Sequence, residues 1–292
     1  MTGAATGPAR VLGVGDNVID RFLDRGVYYP GGNSVNVAVF ARRAGAEAAY
    51  LGVFGDDDPG SHIRGVLGEL GIATDHSVVR AGETGWCDVR VVDGDRVFGD
   101  WSGGVTVERP IELTSDVLAY ASGFDLVHVS AYAALEPQLP ALHPAARLLV
   151  FDFSDEPEYR EDGYRAQVAP WTDLAVLSAA QLPWTEAEDL ARDTFAKGAR
   201  MVLLTRGLEG SAVFDGDGFV RAAAVRVETV DTMGCGDAFI ASFMLSAHAA
   251  GWSRGRRLSP AVLEAALHDA AKAAAEQCAV EGAFGYPKEY VQ

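Results

Sequence analysis

The chain is poor in cysteine and has no arrangement of it that builds a covalent or metal framework. Cys87, Cys235 and Cys278 are an odd number with no Cys-x-x-Cys spacing, a pattern that speaks against a disulfide scaffold and a zinc site. Histidine is scattered: His62, His76, His128, His143, His248 and His268 show no metal-ligand spacing. Each reads as a structural or surface group, and no metal-ligating residue is assigned. Basic charge is also short, with 24 Lys and Arg against 41 Asp and Glu, a net charge of −17 spread along the chain. Nucleic acid and anionic membranes attract basic surfaces, so neither is an expected partner. The longest apolar stretches, such as 238–251 with its Ser and His, are too short to span a bilayer. The first ten residues lack the apolar region of a secretory signal, and a cytoplasmic protein is expected. No Walker A sequence, protein-kinase catalytic loop or Asp-Phe-Gly is present. Gly13-Val14-Gly15-Asp16-Asn17-Val18 lacks the third glycine of a dinucleotide fingerprint and would set an aspartate against the pyrophosphate.

What is present is apolar and ordered. With 49% hydrophobic residues over 292 positions, the chain can build a large core. Buried-type runs at 11–14, 126–129, 148–153, 174–177 and 201–205 imply a parallel sheet covered by helices on both faces. Strand-like runs 89–92 and 96–98, joined by Asp93-Gly94-Asp95, form a hairpin signal that interrupts this alternation. Just beyond, Gly99-Asp100-Trp101-Ser102-Gly103-Gly104 reads equally as an ordinary glycine-rich loop or as a carboxylate and an indole offered to a ligand.

The most informative segment is Asp231-Thr232-Met233-Gly234-Cys235-Gly236-Asp237, a glycine-rich turn in front of an apolar, helix-period stretch. The amides of Gly234, Cys235, Gly236 and Asp237 then lie at a helix N-terminus, where peptide dipoles add roughly half a positive charge. Such a turn attracts phosphate. An aspartate there can accept a proton as a hydroxyl attacks a nearby phosphorus, so Asp237 reads as a catalytic base and the amides as an anion hole. A plain helix cap would need one Asp and one Gly at most. A thiol in this position, Cys235, is expected to ionise readily and to react.

Asp16 follows the first strand-like run, at the kind of strand end where open α/β sheets bind ligands. After Gly31-Gly32 a helix is expected from about 34 to 43, with Val35, Ala38 and Val39 at core spacing. Asn33 and Asn36 each offer donor and acceptor to a polyol, and the glycine pair lets a ligand approach the backbone. Asp56-Asp57-Asp58 is read structurally, with Asp58 as a helix N-cap before Pro59 rather than as a metal site.

With these residues in view, 231–237 resembles the C-terminal signature of the ribokinase-like, or PfkB, family of carbohydrate kinases. Gly31-Gly32-Asn33-Ser34-Val35-Asn36-Val37-Ala38 and Leu51-Gly52-Val53-Phe54-Gly55-Asp56-Asp57-Asp58-Pro59-Gly60 resemble its N-terminal signature, and the similarity runs from Gly13 to about Gly282. Thr205-Arg206-Gly207-Leu208-Glu209-Gly210-Ser211 resembles its nucleotide loop. The resemblance implies a single domain over 1–292 with a three-layer ribokinase-like fold. A mostly parallel sheet would carry helices on both faces, with a small β lid from about 16–32 and 84–104 and a homodimer contact through that lid. It implies ATP and Mg2+, and leaves a monovalent cation open. Asp16, Gly31, Gly32, Asn33, Asn36 and Asp100 would bind substrate. Ser178, Thr205, Arg206, Gly207 and Gly210 would bind nucleotide, with Arg206 reaching phosphate oxygens. Asp237 would act with the amides of Gly234, Cys235 and Gly236.

Within the family, Gly15-Asp16-Asn17, Asp95-Arg96-Val97-Phe98-Gly99-Asp100 and Phe151-Asp152-Phe153-Ser154-Asp155 are similar to the fructoselysine 6-kinase branch. That implies transfer to the 6-hydroxyl of fructoselysine or a related fructosamine, with Asp100 or Asp155 facing its ammonium group. A kinase for ribose, fructose, 2-keto-3-deoxygluconate or adenosine stays open, as does a catalytically silent sugar or nucleotide sensor. One departure stands out: the family's Asn-x-x-Glu motif, which organises magnesium, is Ser178-Ala179-Ala180-Gln181 here. Magnesium binding is thereby in question, with Asp152 as a water-mediated partner.

Overall fold

The computed structural model describes residues 7–92 and 95–290. Strand β1 (Arg10–Gly15) is followed by β2 (Val18–Phe22), β3 (Val27–Gly31), helix α1 (Asn33–Arg43), β4 (Glu47–Gly55), α2 (Asp58–Glu69) and β5 (Val78–Arg80). Next come β6 (Thr84–Val92), β7 (Asp95–Gly103), α3 (Gly104–Glu108) and α4 (Ser115–Ala121). Strands and helices then alternate through β8 (Leu126–Ser130), α5 (Leu139–Ala145), β9 (Leu149–Asp152), α6 (Asp162–Val168), β10 (Leu174–Ser178), α7 (Trp184–Ala196) and β11 (Val202–Thr205). The chain closes with β12 (Ser211–Phe214), β13 (Phe219–Ala222), α8 (Cys235–Ala249), α9 (Pro260–Gln277) and β14 (Lys288–Glu289).

Nine strands form the main sheet in the order β13-β12-β11-β10-β9-β8-β1-β4-β5, parallel except where β12 meets β11 and β13. Successive strand residues point to opposite faces, and here both faces are buried. Val11, Val150, Val176 and Leu203 pack with α1, α2, α8 and α9. Leu12, Phe151, Leu177 and Leu204 pack with α4 to α7. Each such side chain contributes about 1.5–3 kcal/mol on burial. This double burial makes the strands read as continuous apolar runs, and it produces the expected three layers.

The second sheet has the order β14-β3-β2-β6-β7; β2, β3, β6 and β7 fall within the two segments expected to supply a lid, and β14 joins them from 288–289. β6 and β7 pair with Val92 opposite Asp95; the expected turn at Asp93 and Gly94 lies outside the described residues. Residues 99–103 are not the loop that their glycines suggest. They continue β7, and the pairing shifts between Cys87 and Val89, so that Asp88 faces both Gly99 and Asp100. The bulge explains why strand alternation fails there.

The α2 cap is also one residue earlier than expected. Asp57 accepts from the Gly60 amide (2.9 Å) in an extended conformation, and Asp58 is already helical. Asp57 also accepts from the amide (2.7 Å) and hydroxyl (2.5 Å) of Thr84, which ties α2 to the second sheet. At the amino ends of β9, β10 and β11, a cavity of about 370 Å³ is lined by Leu148, Asp173, Arg200, Arg254 and other residues. It is remote from the strand ends that carry the polar side chains. Asp173 there takes Arg254 and the Leu149 amide as hydrogen-bond donors, a structural latch.

Candidate active site

Where β1 ends, Asp16 is buried, and its Oδ1 accepts from the Ser34 amide (3.2 Å), the Ser34 hydroxyl (2.7 Å) and the Ser130 hydroxyl (2.7 Å). This fixes the carboxylate between α1 and β8. The chain reaches α1 through Gly32 at φ 104°, where a Cβ would lie 2.8 Å from Asn17 Cα and 2.9 Å from the Asp16 carbonyl oxygen. Only glycine allows that passage. Beside it, a Cβ on Gly31 would meet Asp20 Oδ2 at 2.7 Å, which places the buried Asp20 of β2 in the site. Nothing local in the sequence singled out Asp20.

α1 begins at Asn33, and the helical repeat puts Asn36 on the same face. Asn33 Nδ2 donates to Asp152 Oδ2 (3.0 Å), and Asn36 Nδ2 donates to Asp237 Oδ2 (2.8 Å). Asn33 therefore does not cap its helix; Gly32 holds the cap position without a side chain. Asn36 is buried with its amide nitrogen directed at Asp237, while its Oδ1 has no hydrogen-bond partner among the described residues.

α8 starts after Gly234, which is in the left-handed region at φ 72°. The turn before it is anchored by Asp231, whose two oxygens accept from the amides of Met233 (2.6 Å) and Gly282 (2.7 Å). The Cys235 amide donates to the Thr232 carbonyl (3.3 Å), so Cys235 drops out of the expected anion hole. The amides of Gly236 and Asp237 have no intrahelical acceptor at a helix start. A Cβ on Gly236 would meet nothing within 4 Å, so open space fronts this turn. An anion fits there.

Burial, reinforced by the charges of Asp152, Asp16 and Asp20, holds the Asp237 carboxyl well above its ordinary range; the Asn36 hydrogen bond works the other way. Burial likewise pushes Asp152 up to about 6, against the opposing hydrogen bonds from the Ser154 amide and Asn33. Four buried carboxylates, Asp16, Asp20, Asp152 and Asp237, thus meet in one place. A magnesium ion needs one or two carboxylates beside phosphate oxygens and water. Asp152 fits that requirement, and no group of three or more His, Cys, Asp or Glu forms a separate metal nest among the described residues.

On the neighbouring strands, Ser178 Oγ and Thr205 Oγ1 lie 3.3 Å apart. Thr205 leads into a tight turn in which the Arg206 amide bonds the Gly210 carbonyl (2.9 Å), and a Cβ on Gly207 would point into open space. Arg206 itself is corrected. Its buried guanidinium donates to the Ala179 (3.1 Å) and Leu182 carbonyls, pairs with Glu209 and stacks over Trp184. With its donors spent on the protein, it is a structural arginine and not a phosphate ligand.

The Cys235 thiol is also corrected. It lies 2.8 Å from Cys278 Sγ, and burial together with that neighbour raises its pKa, overriding the helix terminus. The thiolate is the nucleophile, so at pH 8 iodoacetamide should modify Cys235 at least about tenfold more slowly in the native protein than in the urea-unfolded chain. Peptide mass spectrometry over time checks this; equal rates would restore the reactive thiol.

The second sheet overhangs the site. The Trp101 ring meets Tyr132 edge-on at 6.1 Å, and Tyr132 Oη is bonded to Ser154 Oγ (2.8 Å) and Glu156 Oε1 (2.9 Å). Asp155 accepts from Gln181 Nε2 (3.1 Å). Tyr132 and Glu156 carried no sequence signature. Asp100 is exposed and has no hydrogen-bond partner among the described residues.

With this geometry in place, comparisons with known proteins agree. The model of the pfkB family of carbohydrate kinases matches residues 21–151 and 171–288. The chain is 36% identical over 286 residues to the fructosamine kinase FrlD of Bacillus subtilis, covering 96% of this chain and 95% of that protein. It is 35% identical over 254 residues to the fructoselysine 6-kinase of Escherichia coli, covering 86% and 92%. In fold it is similar to the ribokinase of Arabidopsis thaliana complexed with ribose and ATP, with a TM-score of 0.75 at 21% identity over 95% of this chain and 94% of that one. Together with the carboxylates gathered around the start of α8, these matches establish that the chain belongs to the pfkB family and is an ATP-dependent carbohydrate kinase.

Proposed function

We propose that the protein transfers the γ-phosphoryl group of ATP to the 6-hydroxyl of fructoselysine or a closely related fructosamine, with Asp237 as the base. The observation that carries this reading is the Asp237 carboxylate at the first turn of α8, held by Asn36 and raised in pKa by burial among Asp152, Asp16 and Asp20. The similarity to a fructosamine kinase and a fructoselysine 6-kinase supports the acceptor. Asp16 and Asn33 are positioned to orient sugar hydroxyls, and Asp237 takes the proton as the oxygen attacks phosphorus. The amides of Gly236 and Asp237 stabilise the negative charge of the group in flight. Asp152 is the carboxylate that would hold magnesium, which would supply charge compensation at the phosphates. Trp101 and Tyr132 exclude water from above and form one wall for the part of the acceptor beyond the sugar. The exposed Val97, Phe98 and Trp101 on edge strand β7 support a homodimer contact through the second sheet.

The test is magnesium-dependent ADP release across fructoselysine, other fructosamines, fructose, ribose, 2-keto-3-deoxygluconate and adenosine. A kcat/KM at least about tenfold higher for a fructosamine than for fructose is expected, since placing the amino-acid portion is worth more than about 1.4 kcal/mol. Preference for a plain sugar or nucleoside would discard the acceptor assignment.

A further inference from the structure

The strand order fixes what lies between the hydroxyl and the nucleotide. Along β1-β8-β9-β10-β11, neighbouring strands about 4.8 Å apart, the Asp16 and Asp152 carboxylates stand on one side and Thr205 on the other. The end of β10, with the residues that follow it, is therefore where the terminal phosphates must pass. That region is strongly acidic, with Asp16, Asp20, Asp152, Asp155 and Asp237 close by. A triphosphate entering it needs fixed positive charge, and Arg206 is committed elsewhere.

The segment Pro157–Arg160 after β9 brings a second arginine to this place. Arg160 Nη2 donates to Gln181 Oε1 (3.3 Å), beyond the end of β10. Its Nε is buried without a hydrogen-bond partner, and no carboxylate lies within ion-pair distance of it among the described residues. Gln181 sits between Arg160 and Asp155. Its amide nitrogen satisfies Asp155 Oδ2 at 3.1 Å while its oxygen holds Arg160. A glutamate at 181 would oppose Asp155 charge to charge and would neutralise Arg160. The neutral amide keeps the guanidinium in place with its charge and most of its donors available, and a planar guanidinium is well suited to phosphate oxygens.

We propose that Arg160 is a phosphate-binding residue of this site, contacting the terminal phosphate of the bound nucleotide, with Gln181 positioning it and leaving its charge uncompensated. The proposal rests on the kinase reading and adds a residue to it.

The test is calorimetric binding of a non-hydrolysable, methylene-bridged ATP analogue and of ADP to the full-length protein. Arg160→Ala should weaken the analogue about tenfold or more while leaving ADP within about twofold, as expected for a charge-assisted contact to the third phosphate. Arg160→Lys should restore part of the loss. Gln181→Glu should reproduce it, and adding Arg160→Ala to Gln181→Glu should cost little more. Near-native melting temperatures and ADP binding in the variants exclude misfolding. Unchanged analogue affinity in Arg160→Ala would overturn the assignment, and so would a loss confined to the KM of acceptors bearing a carboxylate. The binding readouts need no turnover, so failure to phosphorylate any sugar would refute the acceptor reading separately.

Discussion

Asp237→Asn should lower kcat by about 10²–10⁴-fold, the range for loss of a positioned general base, with nucleotide affinity within about twofold of the parent. Asparagine matches the shape of aspartate and leaves the first-turn amides of α8 in place, so binding and proton acceptance come apart. The same change should raise the melting temperature at neutral pH. The Asp237 carboxyl has a raised pKa in the folded state. Its favourable contribution to stability is therefore complete below the unfolded value of about 3.9 and is lost as pH rises through the folded value. Above that, the ionised group is buried beside Asp16, Asp20 and Asp152, and a neutral amide removes the conflict. Steady-state kinetics, analogue binding and melting curves at pH 4 and pH 8 check all three parts. Parent-like turnover in the variant would place the base elsewhere. A lower melting temperature at pH 8 than the parent would show that the acidic cluster does not strain the fold.

The second large effect is in the pH profile. A carboxylate base works deprotonated, so kcat/KM should fall about tenfold for each pH unit below its acid limb. Burial among like charges puts that limb above the ordinary carboxylate range. The Asn36 amide is the hydrogen bond that works in the opposite direction on Asp237. Asn36→Ala should therefore move the limb to higher pH by about one to two units, the equivalent of one hydrogen bond to a charged group. At pH 7 the variant loses activity and at pH 9 recovers most of it. Profiles at constant ionic strength decide the matter: a limb near pH 4, or one that Asn36→Ala leaves in place, would remove Asn36 from control of the base.

Much of this site was legible because some constraints are local. Gly32 and Gly234 are required by backbone conformation and close approach, so the glycines announce the turns wherever those turns end up. The order of apolar runs reported a sheet buried on both faces, since strands that meet helices on either side show no polar alternation. Asn33 was recognisable as a polar residue facing a site. That its partner is Asp152, 119 positions away, was not.

The failures share one cause. Arg206 was assigned to phosphate because an arginine in a glycine-rich loop can reach it, but Trp184 and the Ala179 and Leu182 carbonyls, from the stretch that follows β10, meet its guanidinium. Cys235 was assigned high reactivity from its helix terminus, but Cys278 and burial prevail. The 99–103 stretch lay within an expected lid strand but left a loop reading open, because its glycines were judged without the β6 partner strand.

The sequence by itself determined the three-layer arrangement and the glycine-rich turn that opens α8 with Asp237 in its first turn, because hydrophobic periodicity and glycine geometry act over a few residues. The tertiary structure alone decided which side chains share the site. Asp20 behind Gly31, Ser130 on Asp16, Asn36 on Asp237 and Gln181 between Asp155 and Arg160 are each set by strand order and helix packing. Electrostatics followed the same division: a carboxylate's pKa depends on charge and burial within a few ångströms, and those neighbours come from every part of the chain.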